Sequence, residues 1–172
     1  MNAAKMEAEL KKELGSAVLS ARLQKRKLMG KKEHESVWLR IKRDSLRQAI
    51  QKIAEHGAPH LSCISGADLG EKVELLYHFT MDYGLAGQEF VVTLAVALDK
   101  KDLTIPTITD LIPGALLSER EKQEFLGVTV EGIPDTRRAF IADDIAKAHP
   151  WIKDDKETAK HAVHKHERGV AQ

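Results

Sequence analysis

The sequence holds one cysteine, Cys63, in 172 residues. A single thiol excludes an internal disulfide, and it cannot by itself hold a zinc ribbon or an iron–sulfur cluster. It suits a reducing compartment. Asparagine occurs once, at Asn2, among many Lys, Glu and Arg residues, a balance that leans toward a heat-adapted source. Charge of one sign is also lacking. The formal net charge is +1, from 27 basic and 26 acidic side chains, so no overall field attracts a polyanion. No apolar run approaches the roughly 20 residues of a membrane-spanning helix. The opening MNAAKMEAELKKELG is charged throughout and does not read as a secretory signal. A Gly-rich phosphate loop, a nucleophile elbow and an H-E-x-x-H pair are all missing, which argues against a free-standing enzyme.

Hydrophobic residues at 42% are enough for one core. Residues 1–15 read as an N-terminal helical tail, with Met6 and Leu10 four apart, Lys and Glu on the other faces, and Gly15 at the end. Residues 16–99 read as an α+β domain. Residues 17–28 are taken as a strand, because Leu19, Ala21 and Leu23 alternate, and 29–36 as a solvated turn. Val37, Leu39 and Ile41 alternate with Trp38, Arg40 and Lys42 as a half-buried strand. Asp44 or Ser45 can cap a helix whose Leu46, Ala49, Ile50, Ile53 and Ala54 share one face, and Gly57 and Pro59 end it. Three strands follow at 60–66, 71–81 and 88–98. The last is apolar on both faces and reads as a central strand covered on both sides. Gly70 and the 82–87 stretch supply turns, so these strands are expected as antiparallel neighbours. The whole is expected as an antiparallel sheet packed with one main helix.

Beyond Asp99 the texture changes. Pro106, Pro113, Pro134 and Pro150 leave room only for short helices, so 100–154 is expected as an extended docking arm and 155–172 as a polar, His-rich tail. Within the arm, Ser118 and Glu121 form S-x-x-E, a capping box, which predicts a short helix from Glu119 to about Phe125 with Gly127 at its C′ position. The chain should then leave extended and turn at Gly132 and Pro134-Asp135, with Arg137 and Arg138 side by side. Local architecture alone accounts for such a cluster. A contact surface accounts for it as well, because arginine suits bidentate pairing with carboxylates across a protein contact.

The run from Ser118 to Asp154 resembles the signature of the 30 kDa subunit family of respiratory complex I. That signature has the form E-R-E-x-Y-D-M-F-G-I-x-F-x-G-H-P-D-L-R-R, with a later H-P-L-R-K-D. Glu119, Arg120 and Glu121 match the E-R-E, and Gly127 the glycine after the aromatic pair. Gly132, Pro134 and Asp135 match G-x-P-D, Arg137 and Arg138 the paired arginines, and His149, Pro150, Lys153 and Asp154 the last element. The likeness extends over residues 16 to 154. Gln123, Glu124, Phe125 and Leu126 depart from the pattern's Tyr, Asp, Met and Phe, Ile133 from its histidine, and Trp151 and Ile152 from its Leu-Arg. These departures resemble the relaxed versions in energy-converting, membrane-bound nickel–iron hydrogenases, formate hydrogenlyase and ferredoxin-linked sulfur-reducing complexes.

The resemblance implies a scaffold subunit without a cofactor of its own, held at the cytoplasmic face of the membrane by its partners. Those would be a large catalytic subunit and small iron–sulfur subunits, which carry the nickel–iron site and the clusters and couple ferredoxin-linked electron transfer to ion translocation. On this reading Glu119, Arg120, Arg137 and Arg138 pair with the large subunit and Glu121 mainly caps its helix. The 30 kDa subunit of a true NADH/quinone complex I is the near alternative. Two others come from the residues. Arg22, Lys25, Arg26, Lys27, Lys31 and Lys32 form a basic stretch that could meet RNA or an anionic lipid surface, although the stacking aromatics of an RNA-binding sheet are missing. His161, His164, His166 and Glu167 could offer ligands to a metal, against the plainer reading of a polar tail.

Overall fold

In a computed structural model of the chain, the residues described are 1–27, 33–85, 87–142, 148–153 and 155–156. Five strands, β1 (Val18–Lys27), β2 (Glu33–Ile41), β3 (His60–Asp68), β4 (Lys72–Met81) and β5 (Phe90–Asp99), form one sheet in the order β1-β2-β5-β4-β3. The α+β class is as expected, and so are the antiparallel β3–β4 and β4–β5 pairs and the central place of β5. The β2–β5 pair is parallel, however, so the sheet is mixed and not wholly antiparallel. The cause is a crossover. Helix α2 (Leu46–Ala54) carries the chain from the end of β2 to the far edge, and two reversals bring β5 back beside β2 in the same direction. Residues 33–36, expected in a turn, are the start of β2. Their acids lie opposite the basic end of β1, with Lys25 and Glu35 paired at 2.6 Å.

The strand register sets out one apolar face. Val37, Val92 and Phe79 lie in one row, Leu39, Leu94, Tyr77 and Ile64 in the next, and Ile41, Val96 and Leu75 in a third. Helix α2 buries Leu46, Ala49, Ile50 and Ile53, four positions of its expected face. It is not the only helix of the layer. Helix α1 (Ala3–Leu14) buries Ala3, Met6, Leu10 and Leu14 in the same core and packs against α2, β1 and β2. The expected helical tail is thus a helix seated in the core, because its narrow stripe of apolar side chains is enough to fill the space beside α2. On the opposite face β5 presents Thr93 and Ala95. They are covered by side chains of the flanking strands, with Trp38 set edge-on to His78, and His78 bonded to Thr93 and Ser65.

Residues 100–142 are folded and not extended. Strands β6 (Thr104–Pro106) and β7 (Thr129–Glu131) pair in parallel, and the short helix α3 (Leu116–Leu126) connects them. Ile105, Ile108, Ala115, Leu126, Val128 and Val130 join the same hydrophobic cluster as the sheet. Gly66 makes room for this contact: a Cβ there would stand 2.5 Å from Leu126 Cδ1. Polar ties reinforce it. Arg47 of α2 grips Asp110 through two bonds of 2.6 and 2.7 Å and donates to the Thr107 carbonyl. Asp68, buried at the end of β3, accepts from Lys100 Nζ at 2.7 Å and from the backbone N–H groups of Gly70 and Lys153 at 2.8 and 3.0 Å. The Lys100 hydrogen bond, set against the penalty of burial, holds the Asp68 carboxyl down at about 2.

Leu10→Ala is expected to cost about 2–5 kcal/mol in urea unfolding, the loss for a buried leucine and not for a tail residue. Asp68 has a folded-state pKa below its ordinary 3.8, so its contribution is present above about pH 4 and is lost as pH falls toward 2. Asp68→Asn should therefore be less stable than the parent at pH 7, and the gap between them should narrow across that acid window in pH-dependent thermal melts.

Candidate functional site

Helix α3 carries the densest part of the motif, and its start differs from the capping box. A 3-10 turn over Pro113–Ala115 leads directly into Leu116, so Ser118 and Glu121 lie inside the helix and no side chain caps its N-terminus. Proline favours the first turn of a helix, and Pro113 sets that turn ahead of Ser118. Glu121 forms an ion pair with Lys122 instead.

Two carboxylates of α3 face inward. Glu119 is 2% exposed and accepts from Thr107 Oγ1 at 2.6 Å and from the Ile108 N–H at 2.8 Å. Burial pushes its pKa up, and these two bonds offset part of the rise. Glu124 is 6% exposed and accepts from the N–H groups of Ala139, Phe140 and Ile141 at 2.6, 3.0 and 2.9 Å. Burial raises its pKa too, but the three N–H dipoles and the nearby Arg138 charge outweigh it, and the net shift is downward. Each glutamate thus fixes a loop on one flank of the helix.

The arginines divide in the same way. Arg120, with its side chain 14% exposed, donates through Nε to the Arg137 carbonyl at 2.8 Å, reaches the Arg138 carbonyl at 3.3 Å, and lies 3.3 Å from Asp135. Asp135 is shared: Arg137 donates to it from Nε at 2.9 Å, from Nη2 at 2.8 Å and from its own N–H at 3.0 Å. The Arg137 bonds hold the Asp135 carboxyl well below the usual carboxylate range. The Arg137 side chain is 85% exposed. Glu119 and Arg120, expected to reach across an interface, are thus engaged within the chain, while Arg137 stands on its surface.

The remaining motif residues close the C-terminus of α3. Gly127 adopts φ +66°, the left-handed conformation expected of a C′ glycine. It is needed for a second reason. The His149 ring lies 3.1–3.3 Å from where a Cβ would sit, and His149 Nδ1 donates to the Glu124 carbonyl at 2.9 Å. The Trp151 backbone N–H then donates to the Phe125 carbonyl at 3.0 Å. Pro150 is half-buried between these two contacts, and Lys153 bonds Asp68 through its backbone. Gly132 and Pro134, with Thr107, Arg47 and Leu116, line an open cleft of about 570 Å³. Asp154 and the cluster His161, His164, His166 and Glu167 lie outside the described residues, as do Lys31 and Lys32.

Sequence reasoning missed Glu124, Asp68 and Thr107 as anchoring residues. Glu124 had a signal, since it stands where the family pattern has aspartate and so keeps an acid there. Asp68 and Thr107 had none, because the contacts that make them anchors, to Lys100 and Lys153 for Asp68 and to Arg47 and Glu119 for Thr107, join separate elements of the fold.

Comparison with known proteins gives a consistent result. The family profile described as respiratory-chain NADH dehydrogenase, 30 Kd subunit, matches residues 39–161. The membrane-bound hydrogenase subunit beta of Pyrococcus furiosus is 31% identical over 136 residues, covering 76% of this chain and 78% of that protein. The NADH-quinone oxidoreductase C subunit of Moorella thermoacetica is 34% identical over 84 residues, covering 49% of this chain and 53% of that protein. A chain in the solved structure of the membrane-bound sulfane sulfur reductase, an archaeal respiratory membrane complex, aligns over 94% of both chains with a TM-score of 0.65 at 23% identity, a likeness of fold. No helix among the described residues is long and apolar enough to cross a membrane. The chain belongs to the 30 kDa subunit family of the respiratory-chain NADH dehydrogenase.

Proposed function

We propose that the chain is a non-catalytic scaffold subunit of a complex I-like membrane-associated oxidoreductase, of the energy-converting hydrogenase branch. The observation that carries this reading is the match to a membrane-bound hydrogenase beta subunit over three quarters of both chains. In this role the chain seats on a large catalytic subunit beside small iron–sulfur subunits. The nickel–iron site and the clusters belong to those partners, and the chain itself supplies a surface. It lies at the cytoplasmic face of the membrane, held there by its neighbours, and supports ferredoxin-linked electron transfer coupled to ion translocation.

The folded state of residues 100–142 supports this reading physically. A docking surface whose loops are already fixed loses little conformational entropy on association. Glu119, Glu124, Arg120 and Asp135 provide that order from within the chain. A second reading, the 30 kDa subunit of an NADH/quinone complex I, is favoured by the NADH-quinone oxidoreductase relatives. The basic stretch offers less to an RNA reading, since Lys25 is already paired with Glu35.

The test is isolation of the tagged native protein from its own membranes in mild detergent, followed by mass spectrometry and metal assay. A large nickel–iron subunit, small iron–sulfur subunits and antiporter-like membrane proteins, with nickel and iron present, are the expected result. NADH-oxidising and quinone-site subunits would transfer the chain to complex I. Recovery of the chain alone would overturn the scaffold reading, and steeply salt-dependent RNA binding would replace it.

A further inference from the structure

Three aromatic rings gather at the C-terminal end of α3. Phe125 stacks on Trp151 with centroids 4.6 Å apart and planes at 21°, and Phe140 lies against Phe125 at 5.9 Å. Lys122 Nζ sits 4.7 Å from the centre of the Trp151 ring. Aromatic residues are scarce in this chain, yet three of the eight stand in this one group. A role confined to packing would put them inside, as it does Tyr77, Phe79 and Phe90. Here Phe140 is 43% and Trp151 41% exposed.

The group is held rigidly from below. Glu124 fixes the backbone N–H groups of Ala139 and Phe140, the Trp151 backbone N–H donates to the Phe125 carbonyl, and His149 donates to the Glu124 carbonyl. Stiff, half-exposed aromatic rings are the kind of residue that anchors a protein contact, because few rotamers are lost when they are covered. The charge beside them gives the sign of the partner. Arg120 and Arg137 share the single carboxylate of Asp135, which leaves this trio one positive charge in excess, and of the two guanidinium groups Arg137, bonded to Asp135 through Nε and Nη2, is the one open to solvent.

We infer that Phe140, Phe125 and Trp151 form an aromatic ledge that docks a partner protein through an apolar surface bearing a carboxylate at its rim, which Arg137 receives. This rests on the reading of the chain as a scaffold subunit, in which the occupant is the large catalytic subunit. The ledge supplies the buried centre of the contact, and Arg137 supplies its orientation and salt dependence.

The test is the amount of large subunit retained per tagged chain when the complex is isolated from membranes carrying parent or variant chains. Phe140→Ser with Trp151→Ser should lower retention by about tenfold or more, the loss typical of central anchors. Arg137→Gln should lower it less, with the loss growing as salt is reduced, and Leu19→Ser, an exposed apolar change elsewhere, should leave it unchanged. A double variant that melts like the parent and retains the full complement overturns the ledge and leaves the scaffold reading intact. A parent chain that retains no large subunit overturns both. Should the double variant not fold, hydroxyl-radical footprinting of the parent decides. Protection of Phe140 and Trp151 in the complex relative to the isolated chain supports the ledge, and equal oxidation in both overturns it.

Discussion

The C-terminal half of the structure depends on two inward-facing carboxylates of one short helix. Glu119 and Glu124 lie on α3, and each is closed over by hydrogen-bond donors from a different loop, 107–108 on one side and 139–141 on the other. A buried carboxylate is costly unless its oxygens are bonded, and a loop buried without partners for its N–H groups is costly as well. Each solves the problem of the other. The helix becomes a peg between two loops, and Leu126 at its end enters the core of the sheet opposite Gly66. The segment that carries the motif is therefore continuous with the domain.

This arrangement changes the meaning of the charge in the motif. Arg120 reaches carbonyls of the paired arginines, Asp135 binds the side chain and the backbone of Arg137, and Gly127 admits the ring of His149. Most of these residues act on one another across gaps of up to about two dozen positions. Their first task is to hold the chain's own shape, and the outer surface is left to Arg137 and the aromatic rings. For a subunit that works by contact the order is physically sensible, because the entropy of arranging the loops is lost in folding and not in assembly. The energy of one buried link need not be large for this, since each is one of several that share the same loops.

Helix α2 and strands β3 to β5 were legible in the sequence because their information is local. Ile50 and Ile53 repeat at helical spacing, and Val73, Leu75, Tyr77 and Phe79 alternate. The parallel β2–β5 pair was not legible, since hairpin turns say which strands are neighbours but not where the third one docks. Nor was the seating of α1, whose buried stripe is the narrow set Met6, Leu10 and Leu14, with Ala3 beside it. The capping box failed because Pro113 started the helix first. Motif spacing grouped Gly127 with His149 and Asp135 with Arg120 and Arg137, and the structure brings each group into contact. Spacing has no way to tell which charges turn inward, and so Glu119 read as a surface residue and Glu124 was passed over. That difference is made by Thr107 and by the amides at 139–141, which reach α3 only in the fold.

The central claim, that the inward carboxylates fix the loops of the isolated chain, is tested most directly by amide hydrogen exchange in the absence of partners. The amides of Ile108, Ala139, Phe140 and Ile141 should exchange slowly in the parent, and those at 139–141 should lose protection selectively in Glu124→Ala while the amides of β4 and β5 keep theirs. Rapid exchange at 139–141 in the parent, or protection that survives the substitution unchanged, would contradict it.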